Sequence, residues 1–231
     1  MPDSLDIRVV VFDFDGTLVD SAPIKTEAFT ELYRPYGDEV AEEVRRRHLA
    51  AEGVSRFVKF REWHEELLGL SITDDDADRL SAKFDQLVEA RIIDAPEIAG
   101  AHGALVALSE KLPMYVASAT PEAPLRRIVE ARGMSGFFAG VRGTPTTKTS
   151  VLEDVAKAHR CDRPQVLMVG DAESDRQAAQ LAGASFVGVV PGERGDDRVG
   201  NARSVSSHPW TAPGSAIVTV SDLSTLTTLL L

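Results

Sequence analysis

The chain has 231 residues, which suits one large domain or one domain with an insertion, and that length buries about 70% of the unfolded surface without disulfides. An apolar fraction of 43% with 26% charged residues excludes collagen-like, coiled-coil, mucin-like and disordered classes. The formal net charge of −11 argues against nucleic acid as a partner, since an acidic surface repels a phosphate backbone. A small anionic ligand stays open, because local charge can oppose the global sign.

Taken in chain order, Ile7 to Phe12 is an unbroken apolar run, the pattern of a strand buried on both faces of a parallel sheet. The N-terminus has no basic segment, and Asp13 interrupts its apolar run, so no signal peptide is expected. From about Ser21 to Asp94 no strand is legible. Helical stripes occur instead: Phe29–Leu32, Phe57–Phe60–Trp63–Leu67 and Leu80–Phe84–Leu87–Val88. Ser71 to Asp76 reads as a turn feeding a helix N-terminus, where acids suit the dipole. Ala95-Pro96 and Gly100 mark the return to alternating elements. Strands are predicted at Met114–Ala117, Phe137–Val141, Val166–Val169, Phe186–Val190 and Ile217–Val220. Helices are predicted on Leu125/Ile128/Val129, Val151/Leu152/Val155 and Ala178/Ala179/Leu181/Ala182. Residues 191–215 are rich in turn formers and read as a long surface loop that includes His208 and Trp210. Leu229–Leu231 is no more than a helix end. The order predicts an α/β fold: a doubly wound, Rossmann-like parallel sheet core (1–20 and 95–231) with an inserted all-helical domain (21–94). Cys161 is alone and cannot form an intrachain disulfide, which fits a cytoplasmic location, and no apolar stretch is long enough to span a membrane.

The chemistry concentrates at strand ends. Asp13 and Asp15 follow the first strand in Phe12-Asp13-Phe14-Asp15-Gly16-Thr17-Leu18-Val19-Asp20-Ser21, and residues i and i+2 of a strand face the same way. Two carboxylates so placed repel each other unless a cation neutralises them; Mg²⁺, a hard ion preferring oxygen, is the expected one. Gly16 permits a tight turn and close approach of an anion. A second acidic motif, Gly170-Asp171-Ala172-Glu173-Ser174-Asp175, follows the Val166–Val169 strand, with Asp171 alternatively a helix N-cap. Ser118 ends a strand, and Thr120 begins a helix with Pro121 at its first position. That arrangement is an anion site or a plain N-cap. Lys148 lies in a turn-rich segment before a helix, where a lysine is commonly solvated.

In this order Asp-x-Asp-Gly-Thr-Leu, a strand-ending Ser, a Lys and Gly-Asp-x-x-x-Asp resemble the haloacid dehalogenase-like hydrolase superfamily, in its phosphoglycolate phosphatase and β-phosphoglucomutase-like branch. The helical insertion resembles that superfamily's small cap. The resemblance implies Asp13 as nucleophile and Asp15 as general acid and base. It implies Mg²⁺ at Asp13, the Asp15 carbonyl and Asp171, with Asp175 at the metal or holding Lys148. Ser118, Lys148 and the backbone at Phe14, Gly16 and Ala119 would bind the phosphoryl oxygens. Thr149 stands where relatives often have Pro. Lys25 occupies the place of the histidine that a mutase of the β-phosphoglucomutase type carries, which favours a phosphatase. A phosphonatase using Lys25, Lys59 or Lys83 as a Schiff-base amine is a further alternative, and a non-catalytic acidic interaction domain is the rival outside enzymes.

Substrate choice is expected in the insertion. Residues 45–61 hold six Lys/Arg and one acid, and Lys25, Arg56 and Lys59 are the candidate specificity residues. Arg56 and Lys59, at i and i+3, share a helix face that either meets substrate or is a solvated basic surface balanced by Glu62, Glu65 and Glu66. Phe57, Phe60 and Trp63 read as core. The expected partner is a small phosphorylated metabolite, a sugar or polyol phosphate first and phosphoglycolate second, on a monomer or small homo-oligomer.

Overall fold

The computed structural model describes residues 6–190 and 218–231, so the 191–215 loop, with His208 and Trp210, lies outside the described residues. Six parallel strands form one sheet: β1 (Val9–Phe12), β2 (Met114–Pro121), β3 (Gly140–Thr144), β4 (Val166–Gly170), β5 (Ser185–Val189) and β6 (Val218–Val220). Their order is β3-β2-β1-β4-β5-β6. The chain winds outward in both directions from β1, so the carboxyl ends of β1, β2 and β4 flank the switch point where such sheets bind ligands.

Both faces of the sheet are covered because β1 is apolar at every position. Val10 and Phe12 join a core with Leu105 and Leu108 of α5 (Ala101–Ser109), Leu125 and Ile128 of α6 (Glu122–Ala131), and Leu226 of α9 (Ser224–Leu230). Val9 and Val11 point the other way, onto Val151, Leu152 and Val155 of α7 (Lys148–His159) and Ala178, Ala179 and Ala182 of α8 (Glu173–Ala182). The doubly wound α/β expectation holds. Among the described residues, no helix is long and apolar enough to cross a membrane.

Between Ser21 and Asp94 the chain contains four α-helices and no strand: α1 (Ala22–Tyr33), α2 (Asp38–Ala50), α3 (Arg56–Leu68) and α4 (Asp74–Asp94). Thr73 caps α4 in a reciprocal pair with Asp76, as the Ser71–Asp76 turn predicted. Phe29, Phe60, Trp63 and Phe84 meet edge-on or tilted at the centre of these helices, whereas Phe57, expected in the core, is only half-buried and stands outside that cluster. No stripe announced α2, since it buries only Ala41, Val44 and His48.

Four local expectations need correction. Ser135–Phe137 is a 3₁₀ turn, and β3 starts at Gly140, because Phe137 and Phe138 pack onto the core while Gly140 and Val141 pair with Tyr115 and Val116. Thr120 starts no helix. Proline disfavours a helical residue before it, so β2 runs on to Pro121 and α6 begins at Glu122. Leu181 of α8 is 73% exposed, the apolar part of its contact face being made by Ala178, Ala179 and Ala182. Asp171 is not the N-cap of α8; Ala172 holds that place, and the Asp175 carboxylate accepts its N–H.

Candidate active site

The register of the sheet sets Asp13 beside the second acidic motif. Phe12 pairs with Val116 on one side and Val169 on the other, and the Asp13 N–H donates to the Val169 carbonyl at 2.8 Å. Within two residues of that level the three strands present Asp13, Ser118 and Asp171. Gly16 turns the chain with φ +82°, and a Cβ there would lie 2.1 Å from an Asp171 oxygen. Its N–H donates to the Val19 carbonyl at 2.8 Å, so Gly16 serves by backbone shape and close approach, and the expectation that its amide binds phosphate is corrected.

Asp13, Asp171 and Asp175 bring ligand-capable oxygens within 4.8 Å of one another. Lys148, at the start of α7, is buried among them, with Nζ 3.1 Å from Asp13 Oδ2 and 2.5 Å from Asp175 Oδ1. It is not a solvated lysine, and the two carboxylates outweigh its burial and raise its pKa. Both Asp175 oxygens are engaged, one by Lys148 and the other by the Ala172 N–H, so Asp175 positions Lys148. Asp171 accepts from the Thr17 hydroxyl at 2.8 Å. Asp13 Oδ1 is buried with no hydrogen-bond partner among the described residues. Burial pushes the Asp13 carboxyl up to about 7; Lys148 and the Phe14 N–H resist, while Asp175 and Asp15 add to the rise. Burial and the neighbouring acids lift Asp171 as well.

Asp15 lies in a different environment. Lys25 Nζ approaches its Oδ2 to 2.5 Å, the Thr120 and Ser118 hydroxyls donate to the same oxygen at 3.0 and 3.3 Å, and the Ser21 hydroxyl donates to Oδ1 at 2.7 Å. Burial opposes its ionisation, yet Lys25 and the hydroxyls prevail and lower its pKa. Ser118 also accepts the Thr120 N–H at 3.1 Å. Thr17 and Ser21, within the first acidic motif, carry no role in the sequence reading, and Thr120, read there with Ser118 as a helix-start anion site, donates to Asp15 instead.

Above these groups is a cavity of about 60 Å³. Its floor includes Asp13, Asp15, Asp171, Ser118 and Ala119; its roof includes Lys25, His48, Glu52, Arg56 and Lys59 from the helices between β1 and β2. Arg56 and Lys59 do share a face of α3, but that face is buried and the solvated-surface reading fails. The other basic residues of the stretch turn outward, Arg45, Arg46 and Arg47 onto Glu42, Glu43 and Glu66, and Arg61 onto Asp74. Lys83 is exposed on α4.

The sequence pattern of the haloacid dehalogenase-like hydrolases matches residues 7–183, which takes in both acidic motifs and Lys148. The chain belongs to this family. As a haloacid dehalogenase-like hydrolase it is similar to a phosphoglycolate phosphatase of Rhodobacter capsulatus, 29% identical over 193 residues spanning 80% of this chain and 85% of the relative. The phosphoglycolate phosphatase of Escherichia coli K12 is also 29% identical, over 81% and 82% of the two chains. In fold it is similar to a haloacid dehalogenase-superfamily hydrolase of Geobacter sulfurreducens (TM-score 0.62, 16% identity, 99% of each chain). It is also similar in fold to a β-phosphoglucomutase of Clostridium difficile (TM-score 0.63, 18% identity, 80% of this chain and 85% of the other).

Proposed function

We propose that this hydrolase is a Mg²⁺-dependent phosphatase cleaving a small phosphomonoester through an aspartyl-phosphate on Asp13, with residues 21–94 acting as a cap over the 1–20 and 95–231 core. The observation that carries the reading is the pairing of Asp13 with Lys148, one buried carboxylate oxygen left without a partner at the base of the cavity. The donor set fits a hard divalent cation, since Asp13 and Asp171 are crowded, buried and raised in pKa where only one lysine offsets them. The Asp13 and Asp171 carboxylates and the Asp15 carbonyl would hold Mg²⁺, which when bound neutralises these acids and draws charge from the phosphoryl oxygens.

The side chains then divide the work. An Asp13 oxygen attacks phosphorus as the bond to the ester oxygen breaks, and Asp15 delivers a proton to that oxygen. Water next attacks the acyl phosphate with Asp15 taking its proton, releasing phosphate and restoring Asp13. The resting Asp15 is ionised, which suits the second half. Bringing an anionic phosphate beside it raises its proton affinity for the first. Lys148, aimed by Asp175, and the Ser118 and Ala119 region balance charge on the transferring group.

The relatives at 29% identity are named phosphoglycolate phosphatases, which supports a small carboxylated phosphoester beside the sugar or polyol phosphate that the sequence reading places first. Hydrolysis of p-nitrophenyl phosphate with Mg²⁺ tests the reading, and Asp13→Asn is expected to lower kcat by at least ~10⁴-fold, as loss of a nucleophile does elsewhere. A variant that keeps full activity overturns it.

A further inference from the structure

Three cations reach the roof of the cavity, and two of them already have carboxylate partners. Lys25 is paired with Asp15, and Arg56 with Asp85, its guanidinium also lying 4.4 Å from the Phe84 ring centre. Lys59 differs. It is 2% exposed, and among the described residues no carboxylate oxygen lies within ion-pair distance of its Nζ. Its polar contact is the Nδ1 of His48 at 2.8 Å, and the rings of Phe29 and Trp63 lie 5.3 and 5.9 Å away. A buried ammonium is costly to desolvate unless an anion meets it, and nothing on its own helix or on α1 and α2 supplies one at contact range. Glu52 and Glu62 act on it only from a distance, and Lys25 opposes its charge.

His48 is equally specific in its placement. Its ring packs on Phe29 at 4.7 Å between centres, and burial first, then Lys59 and Lys25, push its pKa to about 3, so the ring is neutral. A neutral imidazole accepting from Lys59 leaves the remaining ammonium hydrogens free to turn toward the cavity. The donor is aimed while its charge stays unspent.

We propose that Lys59 is a specificity-determining residue that receives a carboxylate on the alcohol half of the phosphoester, and that His48 is the positioning residue that aims it. The proposal rests on the phosphatase reading for its substrate, but binding alone can test it. Lys59 comes from α3 while Asp13 and Asp171 follow β1 and β4, and all three line one cavity, so the phosphoryl group and a second anion of one small ligand would meet different elements. Neutral esters lack that second anchor.

The test uses two inert phosphonates of similar size, 3-phosphonopropionate with a carboxylate tail and propylphosphonate without one. Their dissociation constants are measured by calorimetry on the Mg²⁺-loaded full chain. The wild type is expected to prefer the carboxylate by roughly 10- to 100-fold, the range for one charge-assisted hydrogen bond. Lys59→Met is expected to abolish that ratio, and Lys59→Arg, which keeps the charge, to retain part of it. His48→Leu is expected to reduce the ratio, whereas His48→Gln, which still offers an acceptor, restores it. A merely structural role would weaken both ligands alike. No carboxylate preference in the wild type, or a ratio unmoved by Lys59→Met, overturns the proposal. Absence of p-nitrophenyl phosphate hydrolysis would instead overturn the phosphatase reading and leave this binding result to stand by itself.

Discussion

Asp13 and Asp15 are two residues apart and experience opposite fields. Asp13 faces other acids with one lysine between them, and its pKa rises to about 7; Asp15 is ringed by Lys25 and three hydroxyls, and its pKa falls. In the proposed roles, separating two like groups in this way lets one site hold a nucleophile beside an acid–base group. Lys59 shows the cost of such placement. Burial, then Lys25, bring its pKa down to about 7 from an ordinary 10.5. Between those two pH values the unfolded chain holds a proton that the folded chain has lost, so stability rises with pH across that window and the burden is full below about 7. Lys59→Met is therefore expected to be more stable than the parent at pH 6, by about 1–4 kcal/mol, with the difference shrinking toward pH 10. Paired thermal melts at several pH values check this, and an equal difference at every pH would refute it.

At the scale of elements, the turn between α2 and α3 meets the loop between β4 and α8. Gly53 has φ +75°, and a Cβ there would sit 2.1 Å from Ser174 Oγ and 3.1 Å from Ala172 Cβ, next to Asp171. Gly53→Ala is expected to cost about 1–2 kcal/mol of stability through its left-handed backbone. It is also expected to lower kcat/KM by about 10-fold, because the added methyl lifts the roof from the catalytic loop and ~1.4 kcal/mol is tenfold. Steady-state kinetics beside a thermal melt separate the two effects, and wild-type kcat/KM would show that this contact does not serve catalysis. On the other side, Arg132 donates to the carbonyls of Ile92, Ile93 and Ala95, so the end of α4 is tied down where the chain re-enters the α/β layers. Such a tie satisfies carbonyls that a helix end otherwise leaves open.

For the whole molecule, a net charge of −11 coexists with a cavity whose roof is cationic. The buried Asp13–Asp171 pair destabilises the metal-free chain, so Mg²⁺ is expected to raise the melting temperature. At a concentration 100-fold above its Kd the gain is about 2.7 kcal/mol, or roughly 5–10 °C for a chain of this size. Asp171→Asn is expected to lose most of that shift, read by thermal melting without any substrate. An undiminished shift in the variant would move the metal elsewhere.

The apolar run before Asp13 and the Gly-Asp that follows the Val166–Val169 strand were legible in the chain because burial on both faces and a site at strand ends each leave a local pattern. The positions of Thr120 and Lys25 were not, since a proline's effect on its predecessor and a helix set over the sheet join residues 95 apart in the chain. Arg56 and Lys59 read as a basic stretch of +5, and nothing in that count distinguishes the buried pair from the four arginines turned to solvent. The sequence by itself determined the α/β winding, the acidic motifs and their order, because hydrophobic period and strand-end chemistry are local properties. Only the tertiary structure decided that Asp175 serves Lys148, that Gly16 yields room to Asp171, and that Lys59, among the cations lining the cavity, has no carboxylate partner, because the partners of a charge are set by packing among segments distant in the chain.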